Sequence, residues 1–276
     1  MKFCDKLTFV IFTYNEENRI ERVLRNFSGW ARILVVDNYS TDDTKLIAER
    51  HGAEVLLHKN PGWVEDENTV ALIKNTVATP WIYWAFADEL LDEESLNAVI
   101  AAVTSGKHKI INIARKNYYY GKFCHEAYAD RLNRVFEKNA LDFTGNKIHN
   151  FGRSTVEKDQ IYYLDAKKYY VRHFISNTAK SYLATIDKYT DIQAQEHSDF
   201  SSFRLFLHLA KNFLKNYILG RAYKAGKPGM FFVLQMMYYQ SILLMKIYEK
   251  RNNISGEIIE KLNNVERERM LKIQRK

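Results

Sequence analysis

The chain has 276 residues, is 46% hydrophobic and carries a formal net charge of +8, enough apolar content for one large folded domain, or one with a tail, and far from the composition of a disordered chain. Its two cysteines, Cys4 and Cys124, stand in unrelated contexts with no CxxC or Cys/His spacing, so neither a disulfide framework nor a structural zinc site is indicated and a reducing compartment fits best. The charge is uneven: residues 203–276 hold 15 Lys/Arg against 5 Glu and no Asp, a local +10, which leaves about −2 for residues 1–202.

Residues 7–12 are a short apolar run rich in β-formers, too short for a signal-peptide core or a membrane span, and the protein is expected to start in the cytoplasm. Thr13, Tyr14, Asn15 and Glu16 follow, and then Ile20, Val23, Leu24 and Phe27 recur at helical spacing, so the segment reads strand, loop, helix. Residues 33–37 form a second buried strand ending in Asp37. A polar turn over 38–43 leads into a helix near 44–51, and 53–57 is a third strand. A helical stretch near 68–77 separates it from a fourth strand over 81–86. Residues 93–103 read as helix and 110–114 as strand. The tract on to 174, with many Tyr and His in short β-like runs, is expected to form the acceptor side of a site.

Strands alternating with helices at this spacing imply βαβ units and a mainly parallel sheet. Ligands of such sheets bind outside the carboxyl ends of the strands. Here those ends carry Thr13-Tyr14-Asn15-Glu16, Asp37-Asn38 and Asp88-Glu89, so three polar clusters are expected to converge on one crevice.

Further along, Phe203, Phe206, Leu207, Ala210, Phe213, Leu214 and Tyr217 make an apolar stripe opposed by Arg204, His208, Lys211 and Lys215, a basic amphipathic helix. Gly226-Lys-Pro-Gly229 reads as a break before an apolar run over 230–247, which Gln235, Gln240 and Ser241 interrupt and which lies near the lower limit for spanning. Residues 250–276 read as a charged helix or a frayed end. The expected organisation is therefore a catalytic domain over 1–200 and a basic amphipathic helical extension over 201–276. The extension suits an anionic membrane surface, with a helical subdomain packed on the core or on another subunit as the alternative. No nucleic-acid partner is expected, because no reader motif is present and the first part is slightly acidic.

The polar clusters suit displacement of a nucleoside diphosphate from a sugar, which needs a pocket for base and ribose, a cation to neutralise the departing diphosphate, and a base for the acceptor hydroxyl. Thr13, Tyr14, Glu16 and Asp37 are the candidates for base and ribose; a turn and helix N-cap is the alternative for Asp37, a role that Ser40 or Thr41 also suits. Asp88, flanked by Glu89, is the candidate oxygen ligand for Mn²⁺ or Mg²⁺, while residues 92–94 read as a helix start where the dipole favours acids. Asp142, His149 and Glu157 are the candidates for the base. His149 and His173 also suit a metal ligand, a diphosphate contact or a structural role.

Residues 7–18, ending in Thr-Tyr-Asn-Glu-Glu-Asn18, and residues 30–44, with Asp37-Asn-Tyr-Ser-Thr-Asp-Asp-Thr44, resemble the opening blocks of family 2 glycosyltransferases, in particular the group similar to lipopolysaccharide-core β-1,4-glucosyltransferases. Trp81-Ile-Tyr-Trp-Ala-Phe-Ala-Asp-Glu89 is similar to the family's Trp-Ile-x-x-x-Asp-Ala-Asp-Glu, with Phe86 in place of the first Asp of the DxD motif and Asp88 retained as the second. Lys147-Ile-His149-Asn150 falls where that group often shows Val-His-Glu, and Tyr170-Val-Arg-His173, Lys188-Tyr189 and the Gly-x-Pro-Gly at 226–229 resemble its later positions. The resemblance spans about residues 6–250. It implies a GT-A-type, Rossmann-like α/β fold with a mixed, mainly parallel sheet flanked by helices and followed by a helical extension. It also implies a metal-dependent, inverting transfer of a hexose from a nucleotide-sugar, a UDP-sugar in the leading reading, to a cell-surface or lipid-linked glycan at the inner face of the cell membrane. In that reading Asp88 and His149 are the catalytic residues, Asp88 and His173 the metal ligands, and Thr13, Tyr14, Glu16 and Asp37 bind the donor. Phe86 and Asn150 motivate the alternative, a nucleotide-sugar-binding protein of the same fold without turnover.

Overall fold

The computed structural model describes residues 3–60, 66–146, 151–194 and 202–274, with side chains set aside at 202–205 and 272–274. The chain forms two compact units, Met1–Ser176 with Asn216–Met230, and Asn177–Lys215 with Phe231–Lys276. The division thus falls after Ser176, not at 200, and a short later segment returns to the first unit.

The first unit is built on β1 (Cys4–Thr13), α1 (Ile20–Phe27), β2 (Ala31–Asp37), α2 (Thr44–Arg50), β3 (Glu54–Leu57), α3 (Glu67–Thr76), β4 (Trp81–Phe86), β5 (Glu89–Leu90), α4 (Glu93–Ser105), β6 (Ile110–Tyr119), β7 (Lys122–Phe123), β8 (Asp130–Glu137), β9 (Leu141–Asp142), β10 (Arg153–Ser154), β11 (Ile161–Tyr163) and β12 (Tyr170–Ile175). The main sheet runs β3-β2-β1-β4-β8-β6-β12-β5, with β7 and β11 also paired to β6. β1 pairs in parallel with β2 and β4, and β12 in parallel with β6, while β8 is antiparallel to both β4 and β6. The sheet is therefore mixed and mainly parallel, as expected.

The central strands are apolar without alternation because both faces are covered. Phe9, Val10 and Ile11 are all fully buried. Phe9 and Ile11 face one core with Ile20, Leu24 and Phe27 of α1 and Leu96 and Val99 of α4. Val10 joins the other with Val70 and Ile73 of α3, Trp84 and Phe136. Phe9 stacks on Phe27 with centroids 4.1 Å apart, so the strand and the helix after it are tied directly. α4 starts where its acids predict, with Asp92 accepting from the Ser95 amide at 2.8 Å and Glu93 and Glu94 in the first turn. α2 starts at Thr44, whose amide is held by Asp42 at 3.0 Å, so neither Ser40 nor Thr41 caps it.

The returning segment docks by close backbone contact. The Tyr128 amide donates to Asn216 Oδ1 at 2.8 Å and the Glu126 amide to the Gly220 carbonyl at 2.9 Å. A Cβ on Gly220 would stand 2.6 Å from the Asn216 carbonyl oxygen, and one on Gly229 would stand 1.9 Å from that of Ala222, so both positions admit only glycine. The break in the sequence is narrower than its four residues suggest. The chain turns at Gly226 (φ 68), and helix resumes at Lys227 with Pro228 in its first turn, where the missing amide hydrogen is not needed.

The second unit contains α5 (Ala179–Gln193), α6 (Ser202–Phe213), most of α7 (Lys227–Arg251) and α8 (Gly256–Gln274). Thr178 and Ser181 form a capping box that starts α5. Polar contacts join α5 to α7: Tyr239 Oη donates to Gln193 Oε1 at 2.6 Å, and Lys246 Nζ reaches Asp187 and Asp191, both at 2.7 Å. Asn212 of α6 donates to Gln240 of α7 at 2.8 Å.

Candidate donor and metal site

The loop after β1 and the loop after β2 are laced together at the carboxyl edge of the sheet. Thr13 Oγ1 donates to Asp37 Oδ1 at 2.8 Å, and Ser40 donates its hydroxyl to Oδ1 and its amide to Oδ2. Asn15, at φ 55, accepts from the Thr41 amide at 2.8 Å, and the Glu16 amide donates to Thr44 Oγ1 at 2.7 Å. The sequence thus brings Thr13 and Asp37 together, but as partners of each other. Asp37 is 1% exposed and holds the Ser40 turn in place, so a direct bond from it to a ligand requires that turn to open. Tyr14 is exposed at 43%.

Asp88 lies two residues beyond the end of β4, with its carbonyl accepting from the Phe174 amide of β12 at 2.8 Å. Its carboxylate, 26% exposed, faces His173 Nε2 at 3.3 Å and Arg19 at 3.9 Å. Burial raises the Asp88 pKa, but the charge and hydrogen bond of His173, with Arg19 and Arg115, outweigh it and hold the carboxyl below its ordinary range. Arg19 also grips Glu16 with two bonds, at 2.5 and 2.7 Å. The Glu16 pKa moves the other way: burial raises it, and Asp88 and Asp42 add to the rise against Arg19. Two neighbouring carboxyls are thus driven in opposite directions beside one guanidinium.

The imidazole of His173 is oriented from behind. Asn117 donates its amide hydrogens to the carbonyls of Ala127 (3.1 Å) and Tyr128 (3.0 Å), so its Oδ1, 2.8 Å from His173 Nδ1, is the acceptor of that pair. Nδ1 therefore carries a hydrogen and Nε2 is the nitrogen that meets Asp88: with a proton it donates to the carboxylate, and with that proton displaced by a cation it offers a lone pair at the same place. A carboxylate oxygen and an imidazole nitrogen side by side fit a divalent cation that takes its remaining ligands from a diphosphate and water. No cluster of three or more His, Cys, Asp or Glu occurs among the described residues. The mixed oxygen–nitrogen pair suits Mn²⁺ better than Mg²⁺, which prefers oxygen and dehydrates reluctantly. Replacing Asn117 by Ala is expected to weaken Mn²⁺ binding by about 10- to 100-fold, measured from the free Mn²⁺ signal in electron paramagnetic resonance. An unchanged affinity would remove Asn117 from this role.

Glu89 does not extend the cation site. It is 2% exposed, forms a buried ion pair with Arg134 and has Arg115 at 3.7 Å. Phe86, at the place of the first motif Asp, packs against Phe12 and lies 5.4 Å under the Arg134 guanidinium, so that position serves the core. Among the base candidates, Asp142 is bound to the Thr144 amide and to Arg153, which hold its pKa down, the wrong direction for a proton acceptor. Glu157 is exposed at the start of a short 3₁₀ turn. His149, with Lys147 and Asn150, lies outside the described residues.

Arg19, Arg115, Asn117 and Arg134 are missing from the sequence-based site. One signal pointed to two of them, Arg115 and Asn117: the apolar run 110–114 continues into Arg115-Lys116-Asn117 within the same strand, and Lys116 and Asn117 are buried at 5% and 3% exposure. Polar residues in a buried strand need partners: Asn117 meets His173 at the crevice, while Lys116 pairs with Glu126.

The fold and this edge of the sheet define an α/β enzyme of the GT-A type, with its polar machinery at the carboxyl ends of the central strands. The chain belongs to the family described as glycosyl transferase family 2, whose profile matches residues 8–188, and it is a glycosyltransferase. An uncharacterized glycosyltransferase of Rickettsia typhi is 25% identical over 273 residues, 91% of each chain. One of Mycobacterium tuberculosis is 35% identical over 102 residues, 37% of this chain and 45% of its own. Among solved structures, Staphylococcus aureus TarS 1–349 in complex with UDP-GlcNAc gives a TM-score of 0.47 at 13% identity, covering 90% of this chain and 83% of TarS. The mannosyltransferase PcManGT of Pyrobaculum calidifontis, with GDP-Man and Mn²⁺, gives 0.44 at 13% identity over 89% and 74%. Likeness at that level carries nothing about this chain's own ligands.

Proposed function

We propose that this glycosyltransferase moves a hexose from a UDP-sugar to a lipid-linked or cell-surface glycan, such as a lipopolysaccharide core, with inversion at the anomeric carbon, in the manner of the β-1,4-glucosyltransferase group. The observation that carries the reading is the Asp88–His173 pair at the end of β4, with its imidazole oriented by Asn117. Asp88 and His173 hold the divalent cation, Mn²⁺ or Mg²⁺, which neutralises the departing diphosphate. Arg19 adds a fixed positive charge at the same place. Thr13, Tyr14, Glu16 and the Asp37 turn form the wall for base and ribose. In the transfer, the acceptor hydroxyl attacks the anomeric carbon as the bond to the diphosphate breaks, and the hydroxyl proton passes to a base, for which His149 is the proposed residue.

The reading is tested by screening nucleotide-sugars for thermal stabilisation of the purified chain. A UDP-sugar is expected to raise Tm, and to do so more with Mn²⁺ present. No stabilisation by any donor under either condition would overturn it.

We further place the protein at the inner face of the cell membrane, as a peripheral protein on anionic lipid. α6 exposes Phe206 and Leu207, and α7 exposes Phe231, Leu234, Tyr238, Met245 and Tyr248. α7 is long and apolar enough to cross a membrane by length and composition, with 17% of its apolar window buried. The ion pairs of Lys246 and the side-chain bonds of Gln240 favour a helix held in its own unit and lying in the interface over one that spans. Flotation with phosphatidylglycerol vesicles is expected, reduced at high salt; equal flotation with neutral vesicles at all salt concentrations would contradict the electrostatic part.

A further inference from the structure

α8 (Gly256–Gln274) follows α7 across a turn in which Asn253 stands at φ 50 and the Ile254 amide donates to the Glu249 carbonyl at 2.8 Å. From Gly256 to Leu271 every residue is exposed except Ile258, which is half-buried. A helix of 19 residues with so little packing is marginal in water, so its stability calls for a partner.

Its apolar side chains lie on one side. Ile258, Leu262 and Val265 recur at spacings of four and three, the intervals that set successive residues on one seam of a coiled coil, and Ile259 borders that seam. Ile259, Leu262 and Val265 are 46%, 65% and 72% exposed, so the stripe is uncovered within the chain. The next seam position holds Arg269, which pairs with Glu266 of the preceding turn at 3.4 Å.

The charges of the helix say what covers the stripe. Residues 203–255 hold nine Lys/Arg and one Glu, whereas residues 256–274 hold four Lys/Arg and four Glu, so an anionic membrane attracts the earlier helices and not this one. Within α8, Glu260 pairs with Arg267 at 2.6 Å and Glu266 with Arg269. Lys261 and Glu268, seven residues apart along one edge of the stripe, have no ion-pair partner among the described residues. A second α8 running the opposite way supplies both. With Leu262 of each helix opposite the partner's Val265, Lys261 of each stands beside the partner's Glu268, twice by symmetry, and the two Arg269 side chains lie at opposite ends of the pair. A parallel pair would bring the two Arg269 guanidiniums together in the seam, where like charges repel.

We propose that a second copy of this chain covers the α8 stripe, the two helices packing antiparallel about a two-fold axis with Leu262 and Val265 at the centre and Lys261–Glu268 pairs on the rim. The pairing is independent of the donor and acceptor readings above. Each copy contributes a short stripe, so the interface is small and the dimer forms with rising concentration.

Sedimentation equilibrium of the full chain over a wide concentration range tests it, and the mass is expected to rise from monomer toward dimer. L262E/V265E, at exposed positions where Glu is a good helix former, should weaken association about tenfold or more. K261E and E268K should each weaken it by setting like charges side by side, and K261E/E268K, which restores opposite charges across the pair, should recover it. A monomer at every concentration, or a dimer untouched by L262E/V265E, would overturn the proposal. Failure of the charge-exchanged variant to recover would overturn the antiparallel register on which it rests. The alternative cover is lipid: a wild type that stays monomeric and floats with phosphatidylglycerol vesicles, with flotation lost in L262E/V265E, would assign the stripe to a membrane instead.

Discussion

Replacing Asp88 by Ala is expected to lower sugar transfer by about 10²- to 10³-fold, with the fold retained. The carboxylate is the ionised centre of a cluster of three basic side chains, His173, Arg19 and Arg115, whose influence prevails over its burial and keeps it charged at neutral pH. Alanine leaves the His173 nitrogen and the Arg19 guanidinium without the oxygen ligand between them, so the cation loses its only proposed oxygen ligand from the protein. The backbone bond from the Phe174 amide to residue 88 is unaffected, which is why folding should survive. The depressed pKa also has a sign for stability. The stabilising contribution of Asp88 is present above the ordinary carboxylate pKa and is lost as pH falls through the lowered folded value. Asp88→Asn keeps the shape and removes the charge, and should behave like Ala in transfer. A variant with near-normal transfer, assayed under the same Mn²⁺ concentration, would contradict the role.

The largest stability effect is expected at Arg134. Changing it to Met should cost about 3–5 kcal/mol, read as a fall in the urea midpoint with the slope unchanged. Arg134 and Glu89 are buried to 1% and 2% exposure and pair directly. Removing the cation leaves the carboxylate deep in the protein with Arg115, 3.7 Å away and already bound to Asp130, as its nearest remaining cation. The double change E89Q/R134M should recover part of the loss, because it removes the uncompensated charge as well. A double variant no more stable than R134M would show that the destabilisation comes from lost packing, including the contact of the guanidinium with Phe86. Among the described residues, Arg134 Nε and Nη2 and Glu89 Oε1 have no hydrogen-bond partner, so this pair is incompletely satisfied there, and part of its cost is inherent in the fold.

The first four strands and the helices between them were legible because hydrophobic periodicity is strong there: β1 and β4 are continuous apolar runs, and α1 repeats Ile20, Val23, Leu24 and Phe27 on one face. Later, pattern loses its hold. α5 was not anticipated, since its buried positions, Tyr182, Ile186 and Thr190, form a narrow stripe that includes a polar residue. β6 proved longer than its apolar core because Arg115, Lys116 and Asn117 are accommodated by partners distant in sequence. The site shows the same contrast. Asp88 and His173 were both identifiable from motif-like segments, and the structure places them 3.3 Å apart. The role of Arg19 depends on the loop after β1 meeting the end of β4, and that of Asn117 on β6 pairing in register with β12, and local spacing holds no record of either. The Asp37 cluster was visible as polar residues at a strand end, but that its carboxylate is committed to Thr13 and Ser40 is a property of the folded loop.

In the proposed function Asp88, with His173, holds the cation that meets the donor diphosphate. This role is tested most directly by hydrolysis of a UDP-sugar in the absence of acceptor, measured as UDP release with saturating Mn²⁺ for the wild type and for Asp88→Ala. Slow release by the wild type is expected, abolished by chelation and absent from the variant; equal release by the two proteins would contradict that role of Asp88.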